Sequence, residues 1–157
     1  MNKVVSIKEF KETDKGTFTI ELSRYIEASP ETVWEILSNK ATLAEFMECE
    51  IEGELEVGAP IKFIWREFEG DKENCSGING GTIINMIPNT LLSFTWGDEN
   101  PSRDLPWGST LVEFKIEEKS GGCLVTIFHY DLPTEKEAEE HTGGWTMFLE
   151  KNTVNWT

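Results

Sequence analysis

The chain has 157 residues, a length that suits one domain with a single hydrophobic core and is too short for two ordinary domains. Hydrophobic residues make up 38% of it and 13 glycines add to these, a composition that is typical of globular proteins and excludes an intrinsically disordered chain. Fourteen basic and 29 acidic residues give a formal net charge of −15, so this acidic protein repels nucleic-acid phosphates and anionic membranes, and we expect neither as a partner.

The sequence carries no signal for export or membrane insertion. No stretch approaches the ~20 apolar residues of a membrane-spanning helix, and the first residues lack the apolar core and cleavage site of a secretory signal. We therefore expect a soluble cytoplasmic protein. Cys49, Cys75 and Cys123 are odd in number, widely separated and without a C-x-x-C pair, so we predict reduced, half-buried thiols rather than disulfides or a zinc ribbon.

The first clear element is a strand that begins after Gly16. Its apolar face carries Phe18, Ile20, Leu22 and Ile26, with polar residues between them. Arg24 is a charged member of the same face. Residues 1–15 show no clear pattern, so we treat them as an undecided N-terminal extension of a single domain that spans residues 16–157.

Two short helices are predicted after this strand. Ser29 provides the N-cap of the first and Pro30 its first turn. Its apolar face is expected to carry Val33, Trp34 and Leu37, and the second helix is expected to turn Leu43, Phe46 and Met47 inward.

From Glu48 to Tyr130 the sequence predicts about six strands separated by turns. In four of them alternate residues share one face: Ile61, Phe63 and Trp65; Leu92, Phe94 and Trp96; Val112, Phe114 and Ile116; Val125, Ile127 and His129. The short connections predict antiparallel neighbours. The glycine-rich stretch 77–82 has no phosphate-binding motif and is predicted to be a turn that enters a strand.

A long helix is predicted at the C-terminus. Thr134 and Glu137 fit a capping box, and an inward face then follows at helical spacing: Ala138, His141, Trp145, Phe148, Leu149, Asn152 and Trp156. The order of elements indicates an α+β domain with one antiparallel sheet, and only this helix is long enough to cover its apolar face.

An ordered set of motifs runs from about Gly16 to the end of the chain. It consists of Arg24-x-x-x-Ala28-x-Pro30-x-x-Val33-Trp34, Gly58-x-x-Ile61-x-Phe63-x-Trp65, Gly81-Thr82-Ile83, Leu92-x-Phe94-x-Trp96, Val112-x-Phe114, Gly121-Gly122-x-x-Val125-Thr126-Ile127-x-His129 and Gly144-Trp145-x-x-x-Leu149. In order and spacing this set resembles the branch of the START-like (SRPBCC) superfamily that is named after the activator of the heat-shock-protein-90 ATPase. The resemblance implies a helix-grip fold, in which a curved antiparallel sheet of about seven strands, with two short helices after strand 1, wraps a long C-terminal helix.

The resemblance also implies a cavity between sheet and helix, like those of lipid-binding domains. By motif position its lining would be Phe63, Trp65, Phe94, Trp96, Val112, Phe114, Ile127, His129, Trp145 and Leu149. The chain holds six tryptophans and nine phenylalanines, and these rings either line an open cavity or fill it. Sequence alone leaves both possibilities open.

Gly144 is a further cavity candidate, because it stands beside Gly143 inside the predicted helix. Two adjacent helical glycines cost about 1 kcal/mol each relative to alanine and therefore need a reason. Close packing of the helix on the sheet is the ordinary explanation, which we favour, and room for a bound molecule is the alternative.

Three polar side chains on apolar strand faces are candidate ligand anchors: Arg24, Glu67 and His129. The ordinary interpretation is that Arg24 and Glu67 reach water at strand ends and that His129 is a hydrogen-bonded core residue. Antiparallel pairing of the first and last strands would keep Arg24 and His129 apart. With only two histidines and no nucleophile motif, we predict no catalytic residue, metal site or cofactor.

We therefore predict a non-catalytic domain that binds a small hydrophobic or aromatic molecule between sheet and helix. One alternative is a co-chaperone-like or stress-related protein-interaction module. The family name makes a chaperone partner possible, although nothing in the sequence itself supports one. The other alternative is a cyclase- or hydratase-type enzyme that acts in the same cavity, for which His129 and Glu67 are the available polar groups.

Overall fold

An antiparallel sheet organises the computed structural model, which describes residues 4–66, 75–98 and 110–150. Within these ranges its eight strands are β1 (Val4–Glu12), β2 (Phe18–Ile26), β3 (Glu50–Gly53), β4 (Pro60–Arg66), β5 (Cys75–Ile87), β6 (Leu91–Asp98), β7 (Thr110–Lys119) and β8 (Gly122–Leu132). Helices α1 (Pro30–Leu37) and α2 (Lys40–Met47) follow β2, and α3 (Glu135–Glu150) follows β8. The strand order is β1-β2-β8-β7-β6-β5-β4-β3, with every pair antiparallel. The predicted helix-grip architecture is confirmed.

Residues 4–12, which the sequence left undecided, form β1 at the edge of the sheet and bring the strands to eight rather than about seven. β1 pairs with β2, and the ring of Phe10 lies edge-on to that of Phe18, with the centroids 6.0 Å apart. The pairing contains register shifts between Val5 and Phe10. Such irregularities interrupt the alternation of faces on which recognition of a strand from sequence depends.

Both short helices have a side-chain N-cap, and that of the first is the predicted Ser29. Ser29 Oγ accepts the backbone N–H of Thr32 at 3.1 Å, and Asn39 Oδ1 accepts that of Ala41 at 2.9 Å. In α1 the buried residues are Val33, Ile36 and Leu37, whereas Trp34 is only half-buried. Trp34 packs against the core from the edge of the stripe that these three define, because successive residues of a helix are 100° apart.

The predicted inward faces of the strands meet in one core. Phe63, Phe94, Phe114 and Ile127 are each 0% exposed. From α2, Leu43, Phe46 and Met47 join them, as predicted. The alternation in the sequence therefore identified the correct face of β4, β6, β7 and β8.

The glycine-rich stretch 77–82 is not a turn, because it lies inside β5. A side chain at Gly81 would collide with the backbone carbonyl of Thr95 on β6. The glycine is needed there for close approach of two strands, which a turn prediction based on glycine content misses.

Helix α3 begins with the predicted cap, since Thr134 Oγ1 accepts the backbone N–H of Glu137 at 3.1 Å. Its buried residues are Glu137, Ala138, Thr142, Trp145, Phe148 and Leu149. The backbone of α3 lies nearest to β1, β2 and β8, so large side chains span the wider gap to β4 and β6. Asn152 and Trp156 lie outside the described residues. None of the helices described here has the length and apolar character that a membrane crossing requires.

Candidate functional site

Aromatic rings line the space between the sheet and α3. Four of them belong to β4 and β6, and we call this set the aromatic wall: Phe63, Trp65, Phe94 and Trp96. The centroid of Phe63 is 5.1 Å from that of Phe94 and 5.3 Å from that of Trp96, and Trp65 is 5.8 Å from Trp96. Trp65 is half-buried at the end of the wall, whereas the other three are buried. The strand pattern thus brings together the aromatic residues that the sequence singled out.

Helix α3 contributes two rings that face this wall. Trp145 lies 5.2 Å from Trp96, and Phe148 lies parallel to Trp65, with the centroids 6.2 Å apart. On the sheet side, Phe114 meets Trp145 edge-on at 5.7 Å. The centre of the space is therefore occupied by these contacting rings.

The other apolar candidates, Val112, Ile127 and Leu149, are 0% exposed on the same side of the sheet. They belong to the core around the rings. Glu67, the remaining acidic candidate, lies outside the described residues.

His129 is 0% exposed and has a hydrogen-bond partner on each ring nitrogen. The indole N–H of Trp145 donates to Nδ1 at 3.1 Å, so the neutral ring carries its proton on Nε2. Nε2 is 2.7 Å from the Thr110 hydroxyl oxygen, and that hydroxyl donates to the Trp96 carbonyl at 2.8 Å. The chain of donors and acceptors is complete with His129 neutral.

His141 on α3 has the opposite tautomer. Its Nδ1 donates to the carbonyl oxygen of Glu137 at 2.8 Å, because a carbonyl only accepts. Its Nε2 accepts the indole N–H of Trp96 at 3.3 Å. The ring centroids of His129 and His141 are 5.1 Å apart. Trp96 is thus bonded to α3 through His141 and to β7 through the Thr110 hydroxyl, which is itself bonded to His129.

These contacts decide what His129 can do chemically. Burial, and secondarily the proximity of His141, lowers the pKa of His129 well below its ordinary value of 6.5. A general base must reach the proton that it abstracts, yet both nitrogens of His129 are bound inside the protein. The geometry fits a structural core histidine.

Arg24 is fully buried, so the expectation that it reaches water at a strand end was wrong. Its Nη1 donates to the carbonyl oxygen of Leu149 in the last turn of α3. This bond gives the buried guanidinium a hydrogen-bond acceptor in the core. In the β2–β8 pairing Arg24 stands opposite Val125 whereas His129 stands opposite Ile20, so the two polar side chains are separated as predicted.

The two helical glycines lie next to open space. Gly143 is exposed and Gly144 half-buried, and no heavy atom of the described residues lies within 4 Å of a side-chain carbon built on either. The close packing that we expected at Gly144 is therefore wrong. Residues 141, 144 and 148 share one edge of α3, because they are three and four positions apart. His141 is 6.2 Å from Trp96, so this edge faces the aromatic wall.

Burial makes the two described thiols, Cys49 and Cys123, unreactive. Burial raises the pKa of Cys49 to about 12 and that of Cys123 to about 11, so neither is a thiolate at neutral pH. Cys49 is half-buried as predicted and Cys123 is buried, while the side chain of Cys75 lies outside the described residues. In the part of the chain that the structure describes, no three His, Cys, Asp or Glu side chains are grouped to hold a metal ion.

Sequence reasoning did not assign Thr110, His141 or Phe148 to the site. Thr110 has the same parity as Val112 and Phe114 on β7, so extension of that pattern by two residues would have found it. His141 and Phe148 were recognised as inward helix residues. Their roles depend on which strand faces them, which helical spacing does not specify.

Comparison with known proteins gives the chain a family. The family model of the activator of Hsp90 ATPase homolog 1-like protein matches residues 27–152. A search of curated proteins found no match. Solved structures with the same fold include CalU16 from Micromonospora echinospora, with 18% identity and a TM-score of 0.66 over 96% of this chain and 81% of that one. They also include the Aha1 dimer from Colwellia psychrerythraea, with 24% identity and a TM-score of 0.62 over 83% and 90%.

A further solved structure is the AHSA1 protein from Silicibacter pomeroyi, with 22% identity and a TM-score of 0.69 over 83% of this chain and 92% of that one. At these sequence identities, the similarity to the solved structures supports the fold alone. The family model covers most of the chain, and its matched range contains α1, α2, the aromatic wall and α3. The chain belongs to the family of activator of Hsp90 ATPase homolog 1-like proteins.

Proposed function

We propose that the protein binds a small apolar or aromatic molecule in a cleft between the aromatic wall and the edge of α3 that carries His141, Gly144 and Phe148. The observation that carries the proposal is the open space beside Gly144, on the helix edge that faces Trp65 and Trp96. Helix positions that face a core are ordinarily filled, so a glycine at this one leaves room for a flat molecule.

The chemistry of the cleft supports the same occupant. A ring inserted here would lie against Trp65, which is half-buried at the end of the wall and stacked on Phe148. Stacked and edge-on ring pairs contribute about 0.5–1.5 kcal/mol beyond the burial of apolar surface. Pockets lined by aromatic side chains with a few polar groups are typical small-molecule sites.

Fewer observations support the two alternative functions, a protein-interaction module and an enzyme. A domain of this family fits either a ligand-binding or a co-chaperone-type module, so a protein partner is the competing function. An enzyme in the same cleft would need polar groups aimed at its substrate, and both nitrogens of His129 are engaged within the protein.

The test is protein-detected NMR against a library of flat aromatic compounds and fatty acids, with the indole N–H signals of Trp65, Trp96 and Trp145 as reporters. We expect shifts that cluster on Trp65 and Trp96. Gly144→Leu would fill the cleft and abolish these shifts. Gly143→Leu is the matched control, because it adds the same side chain to the neighbouring exposed position, and it should leave binding intact.

Two results would contradict the proposal. An absence of hits throughout the library would favour the protein-interaction module. Undiminished binding by Gly144→Leu would show that the molecule sits elsewhere.

A further inference from the structure

Each indole of the cleft already donates within the protein: Trp65 to the carbonyl of Met47 at 2.8 Å, Trp96 to His141 at 3.3 Å and Trp145 to His129 at 3.1 Å. The hydroxyl of Thr110 donates to the Trp96 carbonyl, and the second nitrogen of each histidine is bound as well. A ligand that needs a hydrogen bond from these groups must break one that exists. Burial of a polar group without a partner is costly, and burial of a charge costs much more.

A carboxylate lies along the same helix edge. Glu137 is buried four positions before His141 and seven before Gly144, and its Oε2 is 3.8 Å from His141 Nδ1. The His141 ring in turn contacts Trp96. A second anion placed against the wall would therefore lie about one ring away from this carboxylate, in a protein of net charge −15.

We infer that the cleft selects neutral aromatic molecules and rejects their anionic counterparts, with Glu137 as a specificity-determining residue. The inference rests on the proposed function and narrows its ligand class. A fatty acid or an aromatic carboxylate must bury its charge beside Glu137 with the donors of the wall already engaged. An uncharged polycyclic aromatic molecule or an ester loses only its contact with water, which is favourable.

The test uses two fluorescent probes with the same ring skeleton. N-phenyl-1-naphthylamine is neutral, and 1-anilinonaphthalene-8-sulfonate adds a single anionic group. We expect the neutral probe to bind and the sulfonate to bind at least roughly tenfold more weakly. Methyl 2-naphthoate and 2-naphthoate, compared by NMR, form a second neutral and anionic pair.

Glu137→Gln removes the charge and should narrow the ratio of the two dissociation constants by about threefold or more. Glu139→Gln is the matched control: it removes one charge from an exposed position of the same helix and should leave that ratio as it is. Should Glu137→Gln fold poorly, the two ligand pairs measured on the unaltered protein decide the question.

The possible results separate the two proposals. Equal or tighter binding of the anionic member, sensitive to Gly144→Leu, would overturn the selectivity while the cleft remains the binding site. Binding of neither member of either pair would overturn the proposed function itself. An equal effect of Glu137→Gln and Glu139→Gln would assign the preference to net charge and remove the role of Glu137.

Discussion

Acidification tests the hydrogen-bond network around His129. In the folded protein its pKa is lowered well below 6.5 by burial and by His141, whereas in the unfolded chain it has its ordinary value near 6.5. Well above pH 6.5 both states hold the ring neutral and pH has no effect through this group. As the pH falls through 6.5, the unfolded state binds a proton that the folded state does not bind, so the free energy of unfolding decreases until the pH reaches the folded pKa.

The size of the effect follows from proton linkage. One proton bound only by the unfolded state changes the free energy of unfolding by up to ~1.4 kcal/mol per pH unit. With an unfolded pKa near 6.5, the contribution of His129 between pH 7.5 and pH 5.5 is about 1.4 kcal/mol of lost stability.

Urea unfolding at pH 7.5, 6.5 and 5.5, followed by tryptophan fluorescence, measures this loss for the unaltered protein and for His129→Gln. The variant should be less stable at pH 7.5, because glutamine does not reproduce the ring contacts with Trp96 and Trp145. Between pH 7.5 and pH 5.5 the variant should nevertheless lose about 1.4 kcal/mol less stability than the unaltered protein, since all other titrating groups are common to both proteins.

Parallel pH curves for the two proteins would refute the argument. If His129→Gln does not fold, nitrogen chemical shifts of the His129 ring in the unaltered protein serve instead. They should report a neutral ring with its proton on Nε2 down to pH 5.5, as the bond from Trp145 requires. A protonated ring at that pH would show that the network is wrong.

Three further outcomes are expected. Phe114→Ala should lower the free energy of unfolding by ~3–5 kcal/mol in urea, because the ring is fully buried. Phe128 is half-buried on the opposite face of the sheet, so Phe128→Ala should lower it by less than about 2 kcal/mol. Equal losses would contradict the assigned register. Gly144→Ala should raise the free energy of unfolding by a few tenths to ~1 kcal/mol, since the methyl group meets open space, and a loss would mean that the helix is closely packed there. Substitution of the three cysteines by serine, or treatment with a chelator, should leave affinity for the neutral probe unchanged; stoichiometric zinc in the purified protein would contradict this.

The faces of the strands were predictable because alternation in a regular strand leaves one choice of face. β4, β6, β7 and β8 have such alternation, and the large residues on their inner faces are the ones found in the core. β1 escaped prediction because its register shifts between Val5 and Phe10 break the pattern. Gly81 was misread because glycine serves close strand approach as well as turns, and local sequence does not distinguish the two.

The residues of the candidate site were predictable from the sequence, whereas the hydrogen bonds between them were not. The aromatic set followed from strand parity and from the family resemblance. The partners of His129 did not, because Trp145 reaches it from α3 and Thr110 reaches it from the neighbouring strand β7. The space at Gly144 was also undecidable, since the separation of helix and sheet is set by the rings between them, such as Phe148 against Trp65.

The buried polar network has a consequence for binding at the cleft. Trp96 is held at two points, by the bond of its indole N–H to His141 and by the bond that its carbonyl accepts from Thr110. The first bond ties the indole ring to α3 and the second ties the backbone at Trp96 to β7, so the ring that would meet a ligand is held by His141 before any ligand arrives. Immobilisation of a side chain on binding ordinarily costs about 0.5–1.5 kcal/mol, and a ring that is already fixed avoids that cost. The same bonds that remove polar groups from the reach of a ligand therefore prepare the apolar surface that the ligand would cover.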